Sequence, residues 1–346
     1  MDYRQMGNSD LEVSAIGFGC WEMGGGYGDF DSQEVIAAIH RALDLGVTLF
    51  DTARRYGDGA SEELLSKGLG ARRQDVIVVT KGGVATREGQ IESKPKGDPQ
   101  SPTFPPRDSR YKELMADCED SLKSLGTDYV DLFLIHWPDT DTPFEEAMRG
   151  LSDLVASGKA RYVGVSNFEA AQLRECAGPG PVVTNQVGYN LFDRRWELEM
   201  FPTAKELGVG IMAYGPLGHG LLTGAFTSGT TFAEDDWRSQ RPVFGQDLFS
   251  AENFARNLAV VSQLQGVADR LSTTLPRLAL AWVLSNDQVA VALSGTRRPA
   301  EIEENVDALN LPLTAKTQSE LAQIMTGAIG LAATMPYSQT PVPYPA

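Results

Sequence analysis

The chain's 346 residues are 42% hydrophobic and 22% charged, the balance of a globular protein long enough to bury a sizeable core without covalent staples. A formal net charge of −16 at pH 7 argues against nucleic acid or an anionic membrane as partner, since both need clustered Lys and Arg. Three well-separated cysteines, Cys20, Cys118 and Cys176, and only three histidines speak against a disulfide framework and a zinc or iron site, so no metal is expected. The first residues carry no basic segment followed by an apolar one, and no apolar run approaches the roughly 18 residues of a membrane span. A cytoplasmic enzyme is the expectation.

In chain order, residues 3–13, with Gly7-Asn8 as a turn, read as a hairpin that plugs the bottom of whatever follows. Short apolar runs then alternate with amphipathic stretches. Strands are predicted over 15–19 (AIGFG), 47–50 (VTLF), 76–80 (VIVVT), 129–135 (YVDLFLI), 161–165 (RYVGV), 182–184, 210–213 (GIMA) and 289–293. Helical spacing fits 32–45, 60–69, 111–125 and 144–156. Eight strands with helices between them predict βαβ units and a parallel sheet. The three glycines at 24–26 lack a following GK[ST] and read as a loop over the sheet's mouth. Segments 84–108 and 225–252 are long loops after the third and seventh strands. The four prolines of 336–346 predict an irregular tail. No boundary for a second domain is visible, so 1–346 is read as a single domain with its core over about 15–310.

Polar or aromatic side chains follow nearly every predicted strand: Asp51, Lys81, His136, Asn167, Gln186 and Tyr214. An open doubly wound sheet would spread these along an edge. A (β/α)8 TIM barrel gathers all strand C-termini at one mouth, where such enzymes hold their active sites, and is therefore the α/β fold expected.

Asp51, Tyr56, Lys81 and His136 form a coherent chemical set. A phenol with an ordinary pKa of about 10 is a poor acid–base group near neutrality, and a neighbouring ammonium favours its phenolate. Lys81 supplies that ammonium and Asp51 an ion pair to hold it. His136 can donate a hydrogen bond to a substrate oxygen. Taken singly, each has a plainer reading: Tyr56 as an interface residue, Lys81 as a solvated turn residue, His136 as a satisfied buried histidine. Their joint placement at strand ends favours the catalytic reading.

Long segments carry this set: DTARRYGDGASEELLSKGL at 51–69, VTKGG at 79–83, SLKSLGTDYVDLFLIHWPD at 121–139, GVSNF at 164–168, AYGPLGHGLLTG at 213–224 and SGTRRPAEIEENV at 294–306. Over roughly residues 5–310 the sequence resembles the aldo-keto reductase family. The resemblance implies a (β/α)8 barrel with a catalytic tetrad on Asp51, Tyr56, Lys81 and His136. It also implies a nicotinamide dinucleotide bound without a Rossmann domain. By the same resemblance Cys20, Trp21 and Asp51 contact the cofactor. Ser166, Asn167 and Gln186 hold the nicotinamide carboxamide, and Tyr214 stacks on its ring. Gly215, Leu217, Gly220 and Leu222 belong to the pyrophosphate loop. Gly295, Thr296 and Arg297 open the adenosine-phosphate site, and Glu304 and Asn305 contact adenine. Trp21, Tyr56, His136 and Trp137 line the substrate pocket.

Departures from the family pattern lie around the cofactor's phosphates. Gly215 stands where Ser is usual, His219 and Ala225 where cations are frequent, and Glu301 where NADPH-preferring members often carry Arg or Gln. Arg297 and Arg298 still offer two guanidinium groups suited to a 2′-phosphate, so NADP(H) is favoured and NAD(H) is the alternative. The expected activity is interconversion of a carbonyl (aldehyde, ketone or sugar) and its alcohol. A non-catalytic, cofactor-binding regulatory subunit on the same fold is the alternative. Loop residues Phe104, Arg107, Arg110, Trp237, Arg238, Arg241 and Phe244 are candidates for setting the substrate, or plain loop anchors. The oligomeric state is not legible.

Overall fold

The computed structural model describes residues 1–24, 28–87, 107–177, 182–234, 236–240 and 244–331. A two-stranded hairpin, β1 (Tyr3–Gln5) and β2 (Glu12–Ser14), opens the chain. Eight parallel strands follow: β3 (Ile16–Gly19), β4 (Leu49–Asp51), β5 (Ile77–Gly82), β6 (Val130–Ile135), β7 (Ala160–Ser166), β8 (Val182–Gly188), β9 (Gly210–Tyr214) and β10 (Val289–Gly295). They pair in sequence order, and β10 closes on β3 to complete the barrel.

Alternation along each strand sorts side chains between two apolar layers. In β6, Leu132 and Leu134 point into the barrel with Leu49, Val79, Met212, Val291 and Leu293. Phe133 and Ile135 point outward to the helices. Strands buried on both faces explain why these segments read as continuous apolar runs. The outer helices that follow the strands are α1 (Ser32–Asp44), α2 (Ala60–Leu69), α3 (Tyr111–Leu125), α4 (Phe144–Ala156), α5 (Ala170–Ala177) and α6 (Met200–Leu207). Next come the short α7 (Trp237–Gln240), then α8 (Ala251–Arg270), α9 (Leu275–Leu284), α10 (Pro299–Asp307) and α11 (Ala315–Met325). Cap residues mark several starts as physics requires: the Asp31 carboxylate accepts from Gln33 N–H at α1, and the Thr274 hydroxyl accepts from Arg277 N–H at α9.

The hairpin does close the barrel's lower end. Its Met6, Leu11 and Val13 are buried with the interior layer. Arg4 donates to the carbonyls of Val289 and Leu284, and Asn8 N–H donates to the Gly208 carbonyl.

The strands run further than their apolar runs suggest. β5 continues through Lys81, β7 through Ser166 and β8 through Gln186 to Gly188, because each ladder has a paired neighbour on both sides. The segment 225–252 is not all loop, since it contains α7. Most of 84–108 with Phe104, the glycines at 25–26, Arg241 and the 336–346 tail lie outside the described residues. No helix among the described residues is long and apolar enough to cross a membrane.

Candidate active site

Asp51, Tyr56, Lys81 and His136 come together at the C-terminal mouth. Asp51 ends β4 and Lys81 lies near the end of β5, both nearly fully buried. Lys81 Nζ donates to Asp51 Oδ1 at 2.7 Å, to the Thr52 carbonyl at 2.8 Å and to the Tyr56 hydroxyl at 3.2 Å. Gln186 Nε2 donates to the other Asp51 oxygen at 2.7 Å. Asp51 is thereby fixed from two strands of the barrel. Burial pushes the Asp51 carboxyl up and the Lys81 ammonium down, and each opposes the shift of the other.

Tyr56 begins the tight turn Tyr56–Gly59 after β4. Gly24, closing the turn after β3, packs on it so tightly that a Cβ there would stand 2.5 Å from the Tyr56 carbonyl carbon. A residue without a side chain is needed at that approach. The phenol ring meets His136 edge-on at 5.7 Å and Trp21 at 6.4 Å between centroids. Burial, helped by Lys81, Arg55 and Arg107, holds the His136 imidazole well below its ordinary value. Its neutral form is thereby favoured.

Beside these groups runs a cleft of about 430 Å³. At one end Tyr214 donates from its hydroxyl to Asn167 Oδ1 at 2.9 Å, which fixes the ring's orientation. Asn167 Nδ2 in turn lies 3.1 Å from the His136 carbonyl and from Ser166 Oγ. Further along, the segment from Gly215 to Gly220 takes left-handed conformations at Gly215, Gly218, His219 and Gly220. Such backbone turns its N–H groups into a concavity suited to anions. At the far end Asn305 Nδ2 donates to Ser294 Oγ at 3.0 Å and bonds Thr296 Oγ1 at 3.4 Å, tying α10 to the end of β10. An elongated cleft with an aromatic face, an anion-binding backbone and guanidinium groups fits a nicotinamide dinucleotide.

Residues 15–326 match the model of the Aldo/keto reductase family. The chain belongs to this family. It is 34% identical over 335 residues to the NADH-specific methylglyoxal reductase of Escherichia coli, covering 92% of this chain and 98% of that one. It is 33% identical over 338 residues to the NADP(+)-labelled aldo-keto reductase yakc of Schizosaccharomyces pombe, covering 96% and 94%. Among solved structures, the glycerol dehydrogenase AKR11B4 of Gluconobacter oxydans superposes with a TM-score of 0.82 at 34% identity, over 95% of this chain and 96% of that one. The protein is thus an NAD(P)H-dependent aldo-keto reductase acting on carbonyl or alcohol groups.

The reductase's cleft gathers most of the residues expected from sequence. Trp21, Asp51, Tyr56, His136, Trp137, Ser166, Asn167, Gln186, Tyr214, Gly215, Leu217, Gly220, Gly295, Thr296, Arg297, Glu304 and Asn305 all line it. Two expected cofactor residues do not. The Cys20 side chain is fully buried with its thiol directed to the Phe18 carbonyl, and Leu222 is fully buried in the outer apolar layer. Both side chains pack into the apolar core. Gln186 also differs from expectation, since its amide nitrogen is bound to Asp51.

Of the loop candidates, Phe244 and Arg238 reach the cleft. Phe244 stacks parallel to Trp137 at 6.3 Å and meets Trp21 edge-on at 6.2 Å. Arg107 donates to the Pro138 carbonyl and lies over Trp137, and Arg110 pairs with Asp108, so both serve as loop anchors. Sequence reasoning missed Glu22, which lines the same cleft. Its one signal is position, directly after Trp21 on the turn that leaves β3.

Proposed function

We propose that the reductase interconverts a small aldehyde or ketone and its alcohol, with Tyr56 as the proton donor in reduction and the proton acceptor in oxidation. One observation carries this reading: the Tyr56 hydroxyl sits 3.2 Å from an ammonium that is itself pinned 2.7 Å from a carboxylate. That ammonium stabilises the phenolate left after proton transfer. Neutral His136 donates a hydrogen bond to the substrate oxygen and so stabilises the charge that develops there. When bound, the dinucleotide supplies or accepts the hydride.

In this reading Tyr214 presents its face to the nicotinamide, and Ser166, Asn167 and Gln186 Oε1 meet its carboxamide. The 215–220 backbone meets the diphosphate. Gly295 to Arg297 meet the adenosine side, with Glu304 and Asn305 at adenine. Trp21, Trp137 and Phe244 wall the substrate space. The relatives named for methylglyoxal and glycerol support a short, oxygen-rich substrate. NADP(H) remains the favoured form on Arg297 and Arg298, with NAD(H) the alternative. The preference is expected to be small, because Glu301 already binds Arg298.

The decisive experiment is Tyr56→Phe assayed for cofactor oxidation with a carbonyl panel and for the reverse reaction with alcohols. Loss of the acid–base group predicts a fall of roughly 10²–10⁴ in turnover with dinucleotide binding retained. If the wild type turned over no panel member while still binding dinucleotide, the non-catalytic regulatory subunit would replace this reading.

A further inference from the structure

Glu22 is an ionisable group on the cleft wall to which the chemistry above gives no task. It lies on the turn Trp21–Gly24, and its carboxyl group covers Gly295 at the end of β10. A Cβ on residue 295 would fall 1.8 Å from Glu22 Oε1, so glycine is needed for the carboxyl to sit there. Glu22 Oε2 is buried and has no hydrogen-bond partner among the described residues. A carboxylate oxygen in that position lacks the donor it requires, whereas a carboxylic acid is itself a donor in search of an acceptor.

The charged groups facing Glu22 come from three other segments. Arg297 approaches from the turn after β10, Glu301 from α10 and Arg238 from α7. Arg238 is bound to Asp236. The Cys20 thiol is the neighbour on its own segment. Burial, aided by Glu301, outweighs the bond from Glu22's own backbone N–H and the two guanidinium groups, and pushes the Glu22 carboxyl up to about 7. The other titratable rings near the cleft cannot account for a proton near neutrality. His219 is held down at about 3 by burial and the nearby Arg238 and Arg195, and His136 lies well below its ordinary value.

A dinucleotide reaching from Tyr214 to Glu304 and Asn305 has to pass Gly295, and therefore Glu22. We propose that Glu22 is a dinucleotide-contacting residue that meets the adenosine-side phosphate of the diphosphate bridge as the neutral carboxylic acid, so that cofactor binding above neutral pH takes up one proton. This rests on the assignment of the cleft to the dinucleotide. An ionised Glu22 beside the diphosphate would place like charges in contact in a half-enclosed site, and protonation converts that repulsion into a hydrogen bond.

The test is calorimetric titration of the full-length protein with NADH, which unlike NADPH has no phosphate monoester titrating near neutrality. Wild type and Glu22→Gln are compared from pH 6 to pH 9, in buffers of different ionisation enthalpy. For the wild type, affinity is expected to weaken by up to about tenfold per pH unit above pH 7, with close to one proton taken up per NADH. Glu22→Gln should bind with flat affinity and no proton uptake, and more tightly than wild type at pH 9. Should Glu22→Gln fail to fold, Glu22→Ala serves, with the same loss of proton uptake expected. A pH-independent wild-type affinity, or a variant that keeps the wild-type slope, overturns the proposal alone. A folded wild type that binds neither NADH nor NADPH at pH 6 overturns the cleft assignment as well.

Discussion

Lys81 is fully enclosed and satisfies three acceptors at once: the Asp51 carboxylate, the Thr52 carbonyl and the Tyr56 hydroxyl. Removing it leaves Asp51 buried with only Gln186 for a donor. Lys81→Met is therefore expected to cost about 3–5 kcal/mol of unfolding free energy, as loss of one partner of a buried ion pair does. The sign of its pH dependence follows from Asp51. Without the ammonium, burial raises that carboxyl further above its unfolded value, so the deficit should grow as pH rises and shrink toward acid. Chemical denaturation at pH 5 and pH 8 measures both. At the other end of the cleft, the Glu301 carboxylate accepts from the backbone N–H groups of Arg297 and Arg298 and from the Arg298 guanidinium at 2.8 Å. Glu301→Gln keeps a cap acceptor but removes the charge. The ratio of kcat/KM for NADPH over NADH is expected to rise by roughly fivefold to thirtyfold, about 1–2 kcal/mol of charge-assisted bonding to a 2′-phosphate. An unchanged or lower ratio would remove Arg298 from phosphate recognition.

At the scale of elements, the site depends on how β5 is held to α3. Asp117 of α3 accepts from Gly83 N–H at 2.7 Å and from Arg87 at 2.6 Å, which anchors the chain two residues beyond Lys81. Burial pushes this carboxyl up to about 6 in spite of those donors. Arg87 keeps Glu113 and Asp120 as partners, but Gly83 N–H has no substitute. Asp117→Ala is therefore expected to lose about 2–3 kcal/mol by urea denaturation, and turnover should fall through displacement of Lys81. The helices legible in sequence were those with clear apolar spacing. α2, α3 and α4 begin and end as that spacing predicts. The exact strand ends were less legible, since the apolar runs stop before Lys81, Ser166 and Gln186, which are polar. They are strand residues because the neighbouring strands continue beside them, a pairing that no local pattern encodes.

Over the whole molecule, the hairpin and the barrel share one interior. Met6, Leu11 and Val13 lie in the same apolar layer as Leu49, Val79 and Met212. We propose that residues 1–346 form one cooperative domain. Tryptophan fluorescence and far-ultraviolet circular dichroism should give coincident unfolding transitions, and two separated transitions would contradict a single domain. The sequence by itself determined the alternation of strands and helices, the closed barrel and the gathering of Asp51, Tyr56, Lys81 and His136 at its mouth. It could do so because apolar period and residue chemistry are local properties, and a barrel brings strand ends together by its topology alone. Only the tertiary structure decided which of those side chains remain available to a ligand. Gln186 is bound to Asp51, Arg298 to Glu301, and Cys20 and Leu222 face the packing layers. Glu22 emerged only when β3 and β10 met at the barrel seam, placing its carboxyl over Gly295 from a position 273 residues away in the chain. Partners so distant along the chain leave no trace in either segment.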